Sequence, residues 1–163
     1  MAEIILIDSK NINSFKNLIQ KNHQDFKGFE SIGWTLEQIY NHLEKKTNRS
    51  YGLVENDHLI GFVVGNLINF DNFSEYEIYI IFIATQYRKL GYGTDLVTII
   101  ADFPYNPPLR KIILEVSEKN EKAVNFYKKN KFNLIGVRKN YYVIKNKKKE
   151  NALIFEKLIY DYY

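Results

Sequence analysis

The chain contains no cysteine, which excludes disulfides, thiolate nucleophiles and Cys-based metal sites. That absence is compatible with a reducing cytoplasm. All three prolines fall within Pro104-Tyr105-Asn106-Pro107-Pro108, a firm breaker between two regular segments. No apolar run approaches the ~18–20 residues needed to cross a bilayer. The start, Met1-Ala2-Glu3-Ile4, lacks the basic and long apolar regions of a secretory signal. A soluble, cytoplasmic protein with no membrane partner is therefore expected. Acidic residues are missing from 128–149, a tract that holds nine Lys/Arg including Lys147-Lys148-Lys149. Such a tract could approach RNA, ribosomes or cofactor phosphates. In a chain this rich in Lys, Asn, Ile and Tyr, it reads as a solvated loop, and direct nucleic-acid binding is not expected.

What is present supports a folded chain. An apolar content of 45% and an aromatic content of 15% argue against disorder. Its 163 residues suit one domain, 1–163, around a single core. Residues 3–8 read as a first strand, and 11–22 as a helix with Ile12, Phe15, Leu18 and Ile19 at helical spacing. A loop over 23–34 contains Gly28 and Gly33, and Thr35-Leu36-Glu37-Gln38 resembles a capping box. Residues 51–55 and 59–69 read as two strands joined by Asn56-Asp57-His58, with Gly61 and Gly65 permitting a bulge or close packing. A central strand over 75–84, a helix ending near Asp102, a strand over 110–116 and a helix over 120–129 follow. Strands over 132–142 and 151–158 close the chain as a hairpin around the lysine loop, 145–149. This order implies a mixed sheet with helices on both faces.

The most informative segment is Arg88-Lys89-Leu90-Gly91-Tyr92-Gly93, between the apolar run 79–84 and the helix-like run 94–101. A glycine-rich strand-to-helix turn exposes backbone N–H groups at the positive end of a helix, where a phosphate can dock. The spacing is neither the dinucleotide fingerprint nor the P-loop. A structural turn with no ligand is the other reading of these six residues.

This Arg-x-x-Gly-x-Gly segment resembles the pattern with which GCN5-related N-acetyltransferases hold the pyrophosphate of acetyl-CoA. Further motifs carry the same resemblance: Glu115-Val116-x-x-x-Asn120, Asn120-x-x-Ala123-x-x-x-Tyr127 with Phe132 beyond, Arg138-Lys139-Asn140-Tyr141-Tyr142, and Glu150-Asn151-Ala152-Leu153-Ile154. Over residues 80–156 the chain is similar to the RimI branch, whose bacterial members acetylate the N-terminal amine of small-subunit ribosomal protein eighteen. Before residue 69 the likeness is loose. The resemblance implies an α/β (α+β) GNAT fold: a mixed, mostly antiparallel seven-stranded sheet with a splay between the fourth and fifth strands.

The resemblance also implies roles. The backbone of Lys89, Leu90, Gly91, Tyr92, Gly93 and Thr94 suits the diphosphate of acetyl-CoA, with Arg88 or Lys89 adding charge-assisted contacts. Ile81, Phe82 and Ile83 offer main-chain atoms to the pantetheine arm, or are buried packing. Asn120 matches a cofactor-contacting asparagine and is equally suited to capping its helix. Glu115 stands at the position of the proton acceptor and Tyr127 at that of the proton donor. Arg138, Asn140, Tyr141 and Tyr142 would border a peptide groove, with Glu30 and Trp34 either opposite or merely packing. Phe82 is bulky where the family often has a small residue, which implies a narrowed acetyl pocket. Asn130-Lys131 replaces a glycine before Phe132, implying a shifted helix end. No metal and no covalent enzyme intermediate are implied.

The acceptor expected from the resemblance is a peptide or protein N-terminus, in particular a ribosomal one. An α-amine deprotonates about 2.5 pH units below a lysine, easing attack by about 3.4 kcal/mol. The same fold acting on a small amine or a protein lysine is the nearest alternative. A non-catalytic module that binds acyl-CoA or RNA is the more remote one.

Overall fold

A computed structural model describes residues 2–144 and 148–159. Lys145, Asn146 and Lys147, most of the expected lysine loop, lie outside the described residues. Seven strands form one sheet: β1 (Glu3–Ile7), β2 (Ser50–Glu55), β3 (His58–Asn69), β4 (Ser74–Ile83), β5 (Leu109–Ser117), β6 (Asn133–Ile144) and β7 (Lys148–Leu158). Their order is β1-β2-β3-β4-β5-β7-β6. Strands β4 and β5 are parallel, whereas the β1–β2, β2–β3, β5–β7 and β6–β7 ladders are antiparallel. The helices are α1 (Ile12–Lys21), α2 (His23–Ser31), α3 (Leu36–Leu43), α4 (Tyr92–Asp102) and α5 (Glu121–Lys129). Among the described residues, no helix is long and apolar enough to cross a membrane.

The chain divides into two compact units. The first comprises residues up to Asn66 together with Tyr79–Ile100. Here α1 buries Phe15, Leu18 and Ile19 at helical spacing, α2 buries Phe26, and α3 buries Ile39 and Leu43. They share a core with Phe62, Val64, Ile80, Phe82 and Ala84. Aromatic rings dominate it: Phe15–Phe62 centroids lie 4.6 Å apart, Phe62–Phe82 5.7 Å and Phe26–Phe82 5.8 Å. Thr35 begins α3, its hydroxyl accepting from the Gln38 N–H at 3.3 Å. A reciprocal capping box occurs instead at Asp8 and Asn11, around the 3-10 turn Ser9–Asn11. Gly61 lets β3 approach β4 closely, since a Cβ there would stand 2.9 Å from the Phe82 carbonyl oxygen.

The expected loop over 23–34 is instead helical from His23 to Ser31. Gly28 costs a helix interior about 1 kcal/mol, but burying Phe26 and packing Phe29 against Phe82, at 6.2 Å, outweighs it.

The second unit comprises Leu67–Ile78 and the described residues from Ala101 onward. The β4–β5 ladder runs from Ser74↔Leu109 to Ile78↔Leu114, while β5 continues beside β7 from Glu115↔Ile154 to Ser117↔Ala152. Strand β5 buries Leu109 at its start and alternates from Ile112 on, burying Ile112, Leu114 and Val116. The β6–β7 ladder reaches Ile144↔Lys148 and Val143↔Lys149, so Lys148 and Lys149 are strand residues rather than part of a loop. It is interrupted twice, at Leu134/Gly136 and at Arg138/Tyr142, with Asn140 left-handed at φ 56°. At the end of α5, Lys131 adopts φ 63°, the conformation a glycine would favour.

Candidate active site

In the first unit, β4 ends at Ile83 and a 3-10 turn, Thr85–Tyr87, leads into the glycine segment. Two positions there are left-handed, Lys89 at φ 63° and Gly91 at φ 92°. Only a residue without Cβ adopts the second cheaply. No atom lies within 4 Å of where a Gly91 Cβ would stand, so the backbone faces open space. Helix α4 begins at Tyr92, and the Asp95 N–H donates to the Gly91 carbonyl at 3.1 Å. The N–H groups of Tyr92, Gly93 and Thr94 therefore precede the first intrahelical bond and carry the positive end of the helix. Lys89 and Leu90 are exposed beside them. This turn has the form expected of an anion cradle.

Arg88 is engaged elsewhere. Its Nε donates to the Ile83 carbonyl at 2.8 Å, and its Nη2 lies 3.1 Å from Asp25 Oδ2 on α2. Ile81 and Ile83 are half-buried. The Phe82 ring is buried against Phe26, Phe29 and Phe62. Strand alternation turns the Phe82 side chain into the core. Trp34 packs against Tyr79 at 5.2 Å and His42 at 6.2 Å, and Glu30 is exposed.

In the second unit, Glu115 sits near the end of β5, 21% exposed, and its Oε1 accepts from Arg138 Nε at 2.9 Å. Arg138 is the last residue paired with β7 before the β6 interruption, opposite Ala152. Its guanidinium also lies 5.3 Å from the Tyr141 ring, and Tyr141 meets Tyr142 edge-on at 5.1 Å. The Tyr142 phenol is pushed up to about 12, by burial first, then by the Glu115 charge and Tyr141. Tyr127 is buried on α5, its ring 5.4 Å from Phe132 and 5.2 Å from Phe126. Burial, reinforced by Tyr142, holds its phenol protonated well above the ordinary tyrosine range.

Of these groups, Glu115 and Arg138 are joined by an ion pair, and Tyr127 and Tyr142 carry phenols that burial keeps protonated. Asn120 caps α5, its Oδ1 accepting from the Ala123 N–H at 3.2 Å. The main-chain N–H of Asn140 donates to Asn151 Oδ1 at 2.9 Å, and the Asn151 amide donates to Glu118 at 3.1 Å, bracing the bulge. Asn130 does not take the left-handed position at the end of α5; Lys131 does. The Glu115–Arg138 and Arg88–Asp25 pairings were not among the sequence expectations. Each joins residues far apart in the chain, and no local pattern announces either. Among the described residues, no group of three His, Asp or Glu side chains is disposed to hold a metal ion.

Comparison with known proteins places these observations in a family. Residues 15–132 match the model of the acetyltransferase (GNAT) family. The chain belongs to that family, and its reaction class is acetyl transfer from acetyl-CoA. No curated protein matches it in sequence. Among solved structures, it is similar to the ribosomal-protein-S18-alanine N-acetyltransferase of Escherichia coli, with TM-score 0.80, 20% identity, and coverage of 100% of this chain and 97% of that one. Arabidopsis thaliana NAA60 in complex with acetyl-CoA gives 0.77 at 19% identity, covering 98% and 99%. Ard1 from Thermoplasma volcanium gives 0.72 at 19% identity, covering 98% and 99%. At these identities the likeness is one of fold.

Proposed function

We propose that the protein acetylates the N-terminal α-amine of a protein, with a small-subunit ribosomal protein in the cytoplasm as acceptor. The observation that carries this reading is the largely buried Glu115 carboxylate held by Arg138 in the second unit, with the buried phenol of Tyr127 in the same unit. The likeness to the Escherichia coli S18-alanine enzyme, NAA60 and Ard1 supports the choice of acceptor.

In this reading the first unit supplies the donor site. Backbone N–H groups of the 89–94 turn receive the diphosphate, with Lys89 as the charged side chain. The main chain of Ile81, Phe82 and Ile83, beyond the last β4–β5 pair at Ile78, receives the pantetheine arm like an added strand. A backbone N–H there polarises the thioester carbonyl.

The second unit supplies the proton chemistry. The neutral α-amine attacks the thioester carbonyl carbon, and Glu115 takes a proton from the nitrogen, directly or through one water. As the intermediate collapses, the C–S bond breaks and Tyr127 donates its phenolic hydrogen bond and proton to the departing sulfur. Solvent then takes the proton from Glu115 and supplies one to the Tyr127 phenolate. Arg138, Asn140, Tyr141 and Tyr142 border the acceptor peptide, and Arg138 also keeps the Glu115 carboxylate in place.

The test is mass spectrometry of a peptide panel incubated with acetyl-CoA, including a ribosomal N-terminus from the same organism and Nα-blocked copies. Labelling is expected only on free N-termini. Equal labelling of blocked peptides would instead assign a lysine acceptor, and turnover confined to small amines would reject the peptide reading.

A further inference from the structure

The first residue of the glycine segment is the natural choice for a salt bridge to the diphosphate, yet its guanidinium already has two partners. Arg88 Nε donates to the carbonyl of Ile83, the last residue of β4, at 2.8 Å. Its Nη2 lies 3.1 Å from Asp25 Oδ2 in the first turn of α2. The same Asp25 oxygen receives the hydroxyl of Thr85, from the 3-10 turn that separates β4 from the glycine segment. Arg88 also lies over the Phe82 ring, 5.7 Å from its centroid, and that ring packs on Phe26 and Phe29 of α2.

Three segments therefore meet on one carboxylate and one guanidinium: the end of β4, the turn carrying the glycines, and α2. The carboxylate also offsets the positive charge that a diphosphate would seek at Arg88. An anion at Nη2 would stand beside Asp25 and meet repulsion there. Lys89, next along the chain and exposed, has the left-handed backbone of the turn itself.

We infer that Arg88 is a positioning residue of the donor site rather than a ligand of the diphosphate: with Asp25 and Thr85 it clamps α2 to the end of β4 and fixes the turn whose N–H groups bind acetyl-CoA. This inference rests on the proposed donor site. Lys89 supplies the long-range charge, and Arg88 supplies shape.

The test is a double-mutant cycle with R88Q, D25N and R88Q/D25N, and K89Q as the comparison, read by calorimetry with acetyl-CoA from low to high salt. The ion pair is about 40% exposed, 38% on Arg88 and 40% on Asp25, so these variants are expected to fold. A partly exposed pair predicts a loss of affinity of about two- to fivefold for each single variant. The double variant should lose no more than either, because one clamp is broken once. The slope of log Kd against log salt should stay at the wild-type value in R88Q and flatten in K89Q. KM for acetyl-CoA should rise with kcat unchanged, and T85A should reproduce part of the effect. If Arg88 bound the diphosphate directly, R88Q would flatten the salt slope, D25N would bind acetyl-CoA as well as wild type or better, and the two effects would not coincide; that result overturns the clamp. Wild-type protein that binds no acetyl-CoA would refute the donor site and the clamp's part in it together.

Discussion

Replacing Tyr127 by phenylalanine separates chemistry from packing. The Tyr127 ring is 4% exposed and meets Phe126, Phe132 and Phe155 at 5.2, 5.4 and 6.4 Å. Y127F keeps every one of those ring contacts and removes a single oxygen. Stability should change by no more than about 0.5–1.5 kcal/mol, the net worth of one hydroxyl's interactions. Truncation to alanine would cost about 3–5 kcal/mol and serves as the packing control. Loss of a general acid lowers turnover ~10²–10⁴-fold, and a hundredfold fall corresponds to about 2.7 kcal/mol of barrier. The assay is release of the CoA thiol at saturating acetyl-CoA and peptide, beside thermal melting of the same samples. The buried phenol is held protonated above its unfolded range near 10, so its contribution to stability is complete below about pH 10 and is lost as the pH rises further, where the unfolded phenol ionises first. That alkaline loss should be weaker in Y127F. A variant with wild-type kcat and unaltered melting would refute the assignment of Tyr127 as proton donor.

Four further outcomes are expected. His42 is buried with Nε2 2.8 Å from the Gly65 oxygen, and desolvation lowers its pKa, so the unfolded chain takes up the proton first. Stability should fall as pH drops below about 6.5, with urea midpoints at pH 7.5 and 5.5 differing less in H42Q than in wild type. K131G should relieve the left-handed strain at φ 63° and raise stability by about 1 kcal/mol in thermal melts; no gain would contradict that account. G91V should cost about 1–3 kcal/mol through its positive φ and weaken acetyl-CoA binding, which calorimetry would detect. R138Q breaks a pair whose arginine is 55% exposed, so stability should shift by less than about 1 kcal/mol while KM for the acceptor peptide rises.

The later half of the fold was readable residue by residue because its signals are local. Alternation in 112–117, Asn120 at the start of α5 and the Gly91 turn are written within a few positions. Helix α2 was not readable, because Gly28 and Gly33 look like punctuation. What makes 23–31 helical is tertiary, the burial of Phe26 and the contact of Phe29 with a ring on β4. The hairpin extends beyond its apolar pattern for a related reason. Backbone pairing carries Lys148 and Lys149 into β7 without any apolar side chain to mark them. At the site, residue types were legible and their partners were not. Nothing adjacent to Glu115 names Arg138, and nothing adjacent to Arg88 names Asp25; only the folded sheet chooses those neighbours.

The outermost strand, β6, carries Leu134, Ile135, Val137 and Val143 about half exposed or more. A straight ribbon with those side chains would be a template for cross-β growth, which needs an uninterrupted segment of about six or seven residues. The two bulges leave only Asn133–Leu134, Gly136–Arg138 and Tyr142–Ile144 in register with β7, each too brief to be copied by another chain. The interruption beside Arg138, whose guanidinium pairs with Glu115, therefore also keeps the outer edge from offering a continuous template. Any engineering that straightens residues 139–141 would put both at risk.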